Sequence, residues 1–319
     1  MSRSALSVAA ACATLSGCAG GSPQFPDGST PEAQTAYFAL YSDPWINLHH
    51  FLYAWAQREA GVERSELSEL PAAERAAWLE VVSVYRDSVI SNGFQATLNE
   101  LKRELARPGD SGHDDLLIRT LRRAMPIYDE RWWPQHHQAN TDWIANVAPK
   151  LAEDESGFVH LTRRLYAADW SAAPWRIDAS AYAPRLGYAT PAGHVVVRTT
   201  DPANRQLSGM ELIFHEMQHV APIAGTLPSE LERAFFEAGA GLPDEIGHAL
   251  IYLTAGEYVR AAASARSEEH VPFWIARRFD ELPQWQPYAA ILEASWLPVV
   301  RGETTASQGL ANIAQAFSS

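Results

Sequence analysis

From about residue 31 to 165 the apolar positions recur with the period of helices. Pro31 and Glu32 after Thr30 read as a helix cap and first turn. In "DPWINLHHFLYAWAQREAG" the residues Trp45, Leu48, Leu52 and Trp55 share one face, with Asp43 as N-cap, Pro44 at the first helical position and Gly61 as a stop. "PAAERAAWLEVVSVYRDSVI" and "FQATLNELKREL" are further amphipathic helices, and "DDLLIRTLRRAMPIY" is another, interrupted at Pro126. "HQANTDWIANVAPKLAED" and "FVHLTRRLYAADW" complete a helical lobe, residues 31–170. Near Pro174 the texture changes. "WRIDAS" and "HVVVRTT" are short and β-branched, with "TPAG" as a turn before the second, and read as strands. Helices resume with "SGMELIFHEMQHVA", "PSELERAFFEAGA", "PDEIGHALIYLTAGEYVRAAASA" and a terminal set from Phe273. The pattern predicts a mainly α-helical α+β protein with a small antiparallel sheet, its second lobe spanning 171–319 and the whole forming one domain, 31–319.

Composition adds bounds. With 319 residues, 47% of them hydrophobic and 20% charged, the chain is long enough for a large core. Its formal net charge of −13 argues against nucleic acid as a partner and against electrostatic docking to anionic lipid. The first residues carry one positive charge at Arg3 and then a small-residue apolar run, Ala5 to Leu15, too short to span a bilayer. The run ends in Leu15-Ser16-Gly17-Cys18, which resembles the lipobox of bacterial lipoproteins. That resemblance implies a signal peptide over 1–17, acylation of Cys18 and a membrane anchor. With Ala19 next, it implies the periplasmic face of the outer membrane if the cell is Gram-negative. Residues 18–30, rich in Gly and Pro, read as a flexible tether. The only cysteines are Cys12 and Cys18, so the expected mature domain has neither disulfides nor thiolate metal ligands.

The chemistry concentrates in "ELIFHEMQHV". On a helix His215 and His219, four apart, stand on one face and can reach one ion. Glu216 projects beside that ion, placed to take a proton from water, whose pKa zinc lowers to about 7. The flanks Leu212, Ile213, Phe214, Met217 and Val220 are apolar, Ser208 is placed to cap the helix and Pro222 to end it. Two histidines and a glutamate in such a helix are costly to bury unless paired or bound to metal. The bland alternative is that Gln218, backbone groups or arginines satisfy them.

This helix, with a strand pair just upstream, resembles the zincin metallopeptidases over residues 175 to 260, whose edge strand aligns peptide substrates. The resemblance implies Zn2+ as cofactor, His215 and His219 as ligands and Glu216 as general base. The third ligand stays open. The metzincin pattern needs Gly at 222 and His at 225, where the chain has Pro222 and Gly225. The thermolysin-like pattern needs a glutamate on a following helix, and Glu237 stands 18 residues after His219, near that spacing. His248, inside the apolar "IGHALIYL", is the preferred choice. Glu245, one turn earlier, is then the carboxylate that orients it. Tyr252 or Tyr258 are candidate donors to a developing oxyanion, and Arg260 is a further candidate or a structural ion pair.

Other features have plainer readings. His49 and Tyr53 share a helix face, more simply a helix junction than a cleft. Trp132, Trp133, His136 and His137 could form a platform for sugar or peptide, more simply an interlobe core. No GxSxG, phosphate loop or dinucleotide fingerprint occurs. The expectation is an envelope-anchored zinc hydrolase acting on a peptide or another envelope amide. The alternative is a non-catalytic envelope lipoprotein that binds a protein or glycan partner, with a structural or vestigial metal site.

Overall fold

A computed structural model describes residues 30–57, 65–90, 116–191, 193–278, 282–283 and 285–318. The leader, Cys18, the tether up to residue 29, the Gly61 stop and the helix expected over 94–105 lie outside the described residues. No helix among those described is long and apolar enough to cross a membrane.

The protein is α+β and mainly helical, as the periodicity predicts. Its sheet has five strands, β1 (Ala33–Gln34), β2 (Phe38–Tyr41), β3 (Trp175–Ser180), β4 (Gly187–Ala189) and β5 (Val195–Arg198), in the order β1-β2-β3-β5-β4. It is mixed, not antiparallel: β2–β3 and β3–β5 are parallel, β1–β2 and β4–β5 antiparallel. The antiparallel expectation rested on two strands alone. The sequence cannot show that the segment between them leaves to form the outer strand β4 and returns as β5.

The first helical expectation is also corrected, because residues 33–41 form β1 and β2. The turn between these strands is fixed by buried Glu155. Its carboxylate accepts from Thr35 Oγ1 at 2.5 Å and from the N–H groups of Ala36 and Tyr37 at 2.9 and 3.1 Å. A contact 120 residues away thus overrides the local Thr-Pro-Glu signal.

Helices follow as α1 (Pro44–Gln57), α2 (Ala72–Val84, continued by a π-turn, Tyr85–Val89), α3 (Leu116–Arg131) and α4 (Trp133–Tyr166). After the sheet come α5 (Leu207–Met217), α6 (Ala221–Ala224), α7 (Leu227–Glu237), α8 (Ile246–Ala265), α9 (Phe273–Ala276), α10 (Ala289–Val300) and α11 (Ala306–Phe317). Asp43 caps α1 as expected, its Oδ1 accepting from Trp45 and Ile46 N–H at 2.9 and 3.0 Å. Pro126 does not interrupt α3, and Pro149 does not interrupt α4. Both prolines lie on exposed faces, where water meets the carbonyl each frees, while the opposite face packs.

Strand alternation splits the interior in two. Ile177, Ala179, Val195 and Val197 face a core shared with α5, α8 and the second half of α4. Val196 and Tyr188 face the other, built on α1, α2 and α3. The second core is aromatic, with Trp132 against Phe51 at 5.3 Å and against Trp78 at 4.5 Å between ring centroids. Trp132 is therefore interior and no part of a binding platform.

Asp43 also pairs through Oδ2 with Arg176 at 3.2 Å, and Arg176 pairs with buried Asp178 at 2.8 Å. Asp43→Ala removes a cap and half of a buried pairing, and is expected to lower stability by about 2–3 kcal/mol in urea unfolding. Burial holds His49 neutral down to about pH 3 and His136 to about pH 4, against 6.5 in an unfolded chain. Both pKa values fall on folding, so this stability is complete above pH 6.5 and is lost as pH drops toward 4. His49→Asn is expected to flatten the decline of the urea midpoint between pH 7 and 5; an unaltered slope would refute that role.

Candidate metal centre

The signature helix α5 lies between the sheet and α8, and each of its ends is fixed by side chains. At its start, Asn204 Nδ2 donates to Leu186 O at 2.8 Å and to Arg198 O at 2.7 Å, tying the helix to the β4–β5 pair. Ser208 is not the cap: the helix begins at Leu207, after Gln206 in a left-handed conformation, φ 51°. The anchoring falls to Asn204, behind the Asp201-capped turn Pro202–Asn204. At its end Gln218 Nε2 donates to Phe214 O and Ile251 O, both at 3.1 Å, and its Oε1 accepts from Tyr166 OH. Gln218 is thus committed to backbone and to α8, so it does not satisfy the histidines. Pro222 does not end the helix, which stops at Met217; Pro222 lies in the first turn of α6.

Buried Glu211, one turn before His215, holds the following loop. Its Oε2 accepts from His270 Nε2 at 2.6 Å and its Oε1 from Phe273 N at 2.9 Å. Gly256 of α8 permits this approach, because a Cβ there would lie 2.7 Å from Glu211 Oε1.

The structure brings His215, His219 and His248 together, with one ligand atom from each inside 4.8 Å of the others. His219 lies just past the last helical residue, in a turn tightened by its N–H bonding Glu216 O at 3.1 Å, yet its ring still faces His215. His215 Nε2 is 3.3 Å from His219 Nε2 and 3.2 Å from His248 Nε2. Nitrogens about 2.0–2.1 Å from one tetrahedral zinc stand about 3.3–3.4 Å apart, so the two separations from His215 fit that ion. Burial, then the neighbouring imidazoles, drives the His215 pKa well below 6.5. The same causes bring His219 to about 4, and burial lowers His248. All three lone pairs are therefore available at neutral pH. The donor set and its protonation suit a divalent cation.

Other side chains singled out in the sequence lie beside the cluster. Glu245 Oε2 lies 3.2 Å from His248 Nδ1 and can orient that ring. Tyr252 stacks on His215, ring centroids 3.6 Å apart and 27° between planes. Burial raises the Tyr252 pKa, keeping its hydroxyl a donor. Burial pushes Glu216 up to about 8, against the opposing charge of Arg185 and a hydrogen bond from the Ala189 backbone.

Other candidates fall elsewhere. Glu237 is exposed at the end of α7 and outside the cluster. Tyr258 OH donates to Asp154 O at 2.6 Å, and Arg260 pairs with Glu257. His49 bonds Tyr85 OH at 3.0 Å, His136 bonds Tyr128 OH at 2.9 Å and His137 bonds Ser42 Oγ at 3.0 Å, so these three are structural.

The three histidines border a cavity of about 330 Å³, which Arg185, Leu186, Gly187, Phe273, Arg277 and Trp285 also line. A second hollow of about 360 Å³ shares His219 and His248 with it, so open space continues on both sides of the cluster. Strand β4 is the sheet edge over this space. Arg198 N bonds Leu186 O at 2.8 Å and Thr190 N bonds His194 O at 2.9 Å, so residues 186, 188 and 190 bond toward β5. Gly187 and Ala189 turn their backbone groups away from β5: Glu216 takes the Ala189 N–H, and Gly187 faces the cavity. Sequence reading missed Glu211, Arg185 and Arg277. A glutamate in "MELIFHEM", four before His215, was a readable signal for the first; no periodicity marks the two arginines.

No family model matches the chain, and comparison with curated proteins and with solved structures finds no match to either.

His248→Ala is expected to weaken zinc binding by more than about 100-fold, and Glu245→Gln by about tenfold. Glu237→Ala is expected to leave it unchanged. Competition titration with a zinc chelator measures all three, and an effect at Glu237 equal to that at His248 would overturn the assignment.

Proposed function

We propose that this chain is a zinc-dependent hydrolase of amide bonds, a peptidase of the zincin type. The observation that carries this reading is the convergence of three neutral imidazoles beside one buried carboxylate, Glu216, under an open strand edge. His215, His219 and His248 hold the ion, and Glu245 orients His248. Zinc, when bound, supplies a Lewis acid and lowers the pKa of water to about 7. Glu216 takes the proton of the attacking water and delivers it to the leaving amine. Tyr252 donates to the developing oxyanion.

The substrate class follows from the cleft. Gly187 offers a backbone N–H and C=O at the edge of β4, the groups an extended peptide pairs with when it adds a strand. Space on both sides of the histidines suits a chain that passes across them. Anchoring through Cys18, as the N-terminal motif implies, restricts the substrates to those of the cell envelope.

Metal analysis of the purified chain tests the ligand set: about one equivalent of zinc is expected. Substoichiometric zinc that His215→Ala leaves unchanged would sink the proposal. Glu216→Gln is expected to retain the metal and to lose about 10²–10⁴-fold in turnover of a quenched fluorescent peptide library.

A further inference from the structure

Two arginines at the cavity act on Glu216 and Tyr252 only through their charge and have no assigned partner in the chemistry proposed above. Arg185 precedes β4 and Arg277 follows α9, and both line the cavity that His215 and Glu216 border. Arg260 and Arg266, from α8 and its C-cap, are bound to Glu257 and Asp154. Among the described residues no carboxylate forms an ion pair with Arg185 or Arg277; the Arg277 guanidinium lies 5.8 Å from the centroid of the Phe273 ring. Arg185 also sits in the left-handed region, φ 59°, a conformation that strains a residue with a side chain. The surrounding wall is apolar, formed by Leu186, Phe273, Leu282 and Trp285, which strengthens any charge interaction inside it.

We infer that Arg185 and Arg277 bind a carboxylate of the substrate, so that the enzyme selects an acidic peptide at the cavity beside the metal. This rests on the zinc-peptidase reading and adds its specificity. An acidic chain of net charge −13 repels anions at long range. Two guanidiniums at the cavity supply the local positive potential that such a substrate needs, and charge-assisted hydrogen bonds fix it. The carboxylate belongs either to an acidic side chain or to a free C-terminus, two sources with the same chemistry.

Three peptidyl hydroxamates, titrated calorimetrically into the zinc-loaded full chain, test this. One ends in a glutamine amide and is neutral. The second ends in a glutamate amide, with the charge on the side chain. The third ends in glutamine with a free C-terminus. At least one charged probe is expected to bind about tenfold tighter than the neutral one, the preferred probe naming the source. In the R185Q/R277Q double variant the ratio of charged-probe to neutral-probe affinity is expected to shrink to within about twofold at unchanged zinc content, which shows that fold and metal are intact; the ratio cancels any effect of the lost charges on Glu216 and Tyr252. Equal affinity for all three probes in the unaltered chain overturns carboxylate recognition and leaves the zinc reading standing. A carboxylate advantage that persists in the double variant overturns the role of these arginines. A chain that retains no zinc and binds no hydroxamate overturns both readings together.

Discussion

The interaction on which the rest of this structure depends is the meeting of His248 Nε2 and His219 Nε2 at His215 Nε2. They lie 3.2 and 3.3 Å from it, in a place burial keeps neutral. Two of the rings come from one helix and its terminal turn, the third from α8, so the meeting requires α5 and α8 to keep one depth and rotation. Three contacts do this. Gln218 ties the end of α5 to Ile251 O of α8, Glu211 and His270 clamp the loop after α8 back onto α5, and Gly256 lets the two helices close on that carboxylate. The first two are buried polar contacts in an apolar setting, where loss of one partner leaves the other unsatisfied, and the third is the space a missing side chain leaves for them. The polar groups therefore fix the geometry that the apolar packing alone leaves adjustable.

The sheet carries the same precision to the cavity side. Asn204 bonds both Leu186 O and Arg198 O, so the start of α5 is held in register with the strand pair β4–β5. The valines of β5 bury one face against α5 and the other against the aromatic core of α1–α3. The N-terminal helices thus back the strand whose neighbour borders the cavity, although none of their side chains lines it.

Much of this was legible in the sequence because it is written in local pattern. Helical periodicity, the Asp43 cap and the His-Glu-x-x-His spacing depend on residues a few positions apart. His248 was legible for a related reason: a histidine inside "IGHALIYL" has no ordinary place on a buried face. What escaped depends on distant partners. Residues 33–41 become strands because Glu155 captures their turn and β3 pairs with β2. The strands β3 and β5 are parallel because β4 lies outside β5 in the sheet, and β2 pairs parallel to β3 from across more than 130 residues. Pro126 and Pro149 break nothing because tertiary packing, which propensity does not contain, holds the opposite helix face. Arg185 and Arg277 were silent because an exposed arginine in a loop has no period.

Glu216 joins the two halves of the argument. Buried under β4, it accepts the Ala189 N–H and feels Arg185, yet burial still dominates and its pKa stands near 8. A carboxyl in that state holds its proton at neutral pH and cannot serve as a base. A divalent cation at the histidines would oppose the effect of burial directly, because a nearby positive charge favours the ionised form. The pKa then moves down toward the working range of a general base, where its basicity suits proton transfer from water. On the zinc reading, the ion that activates the water also prepares the group that deprotonates it. The histidines and the glutamate then form one electrostatic unit, which is why the same short helix carries both.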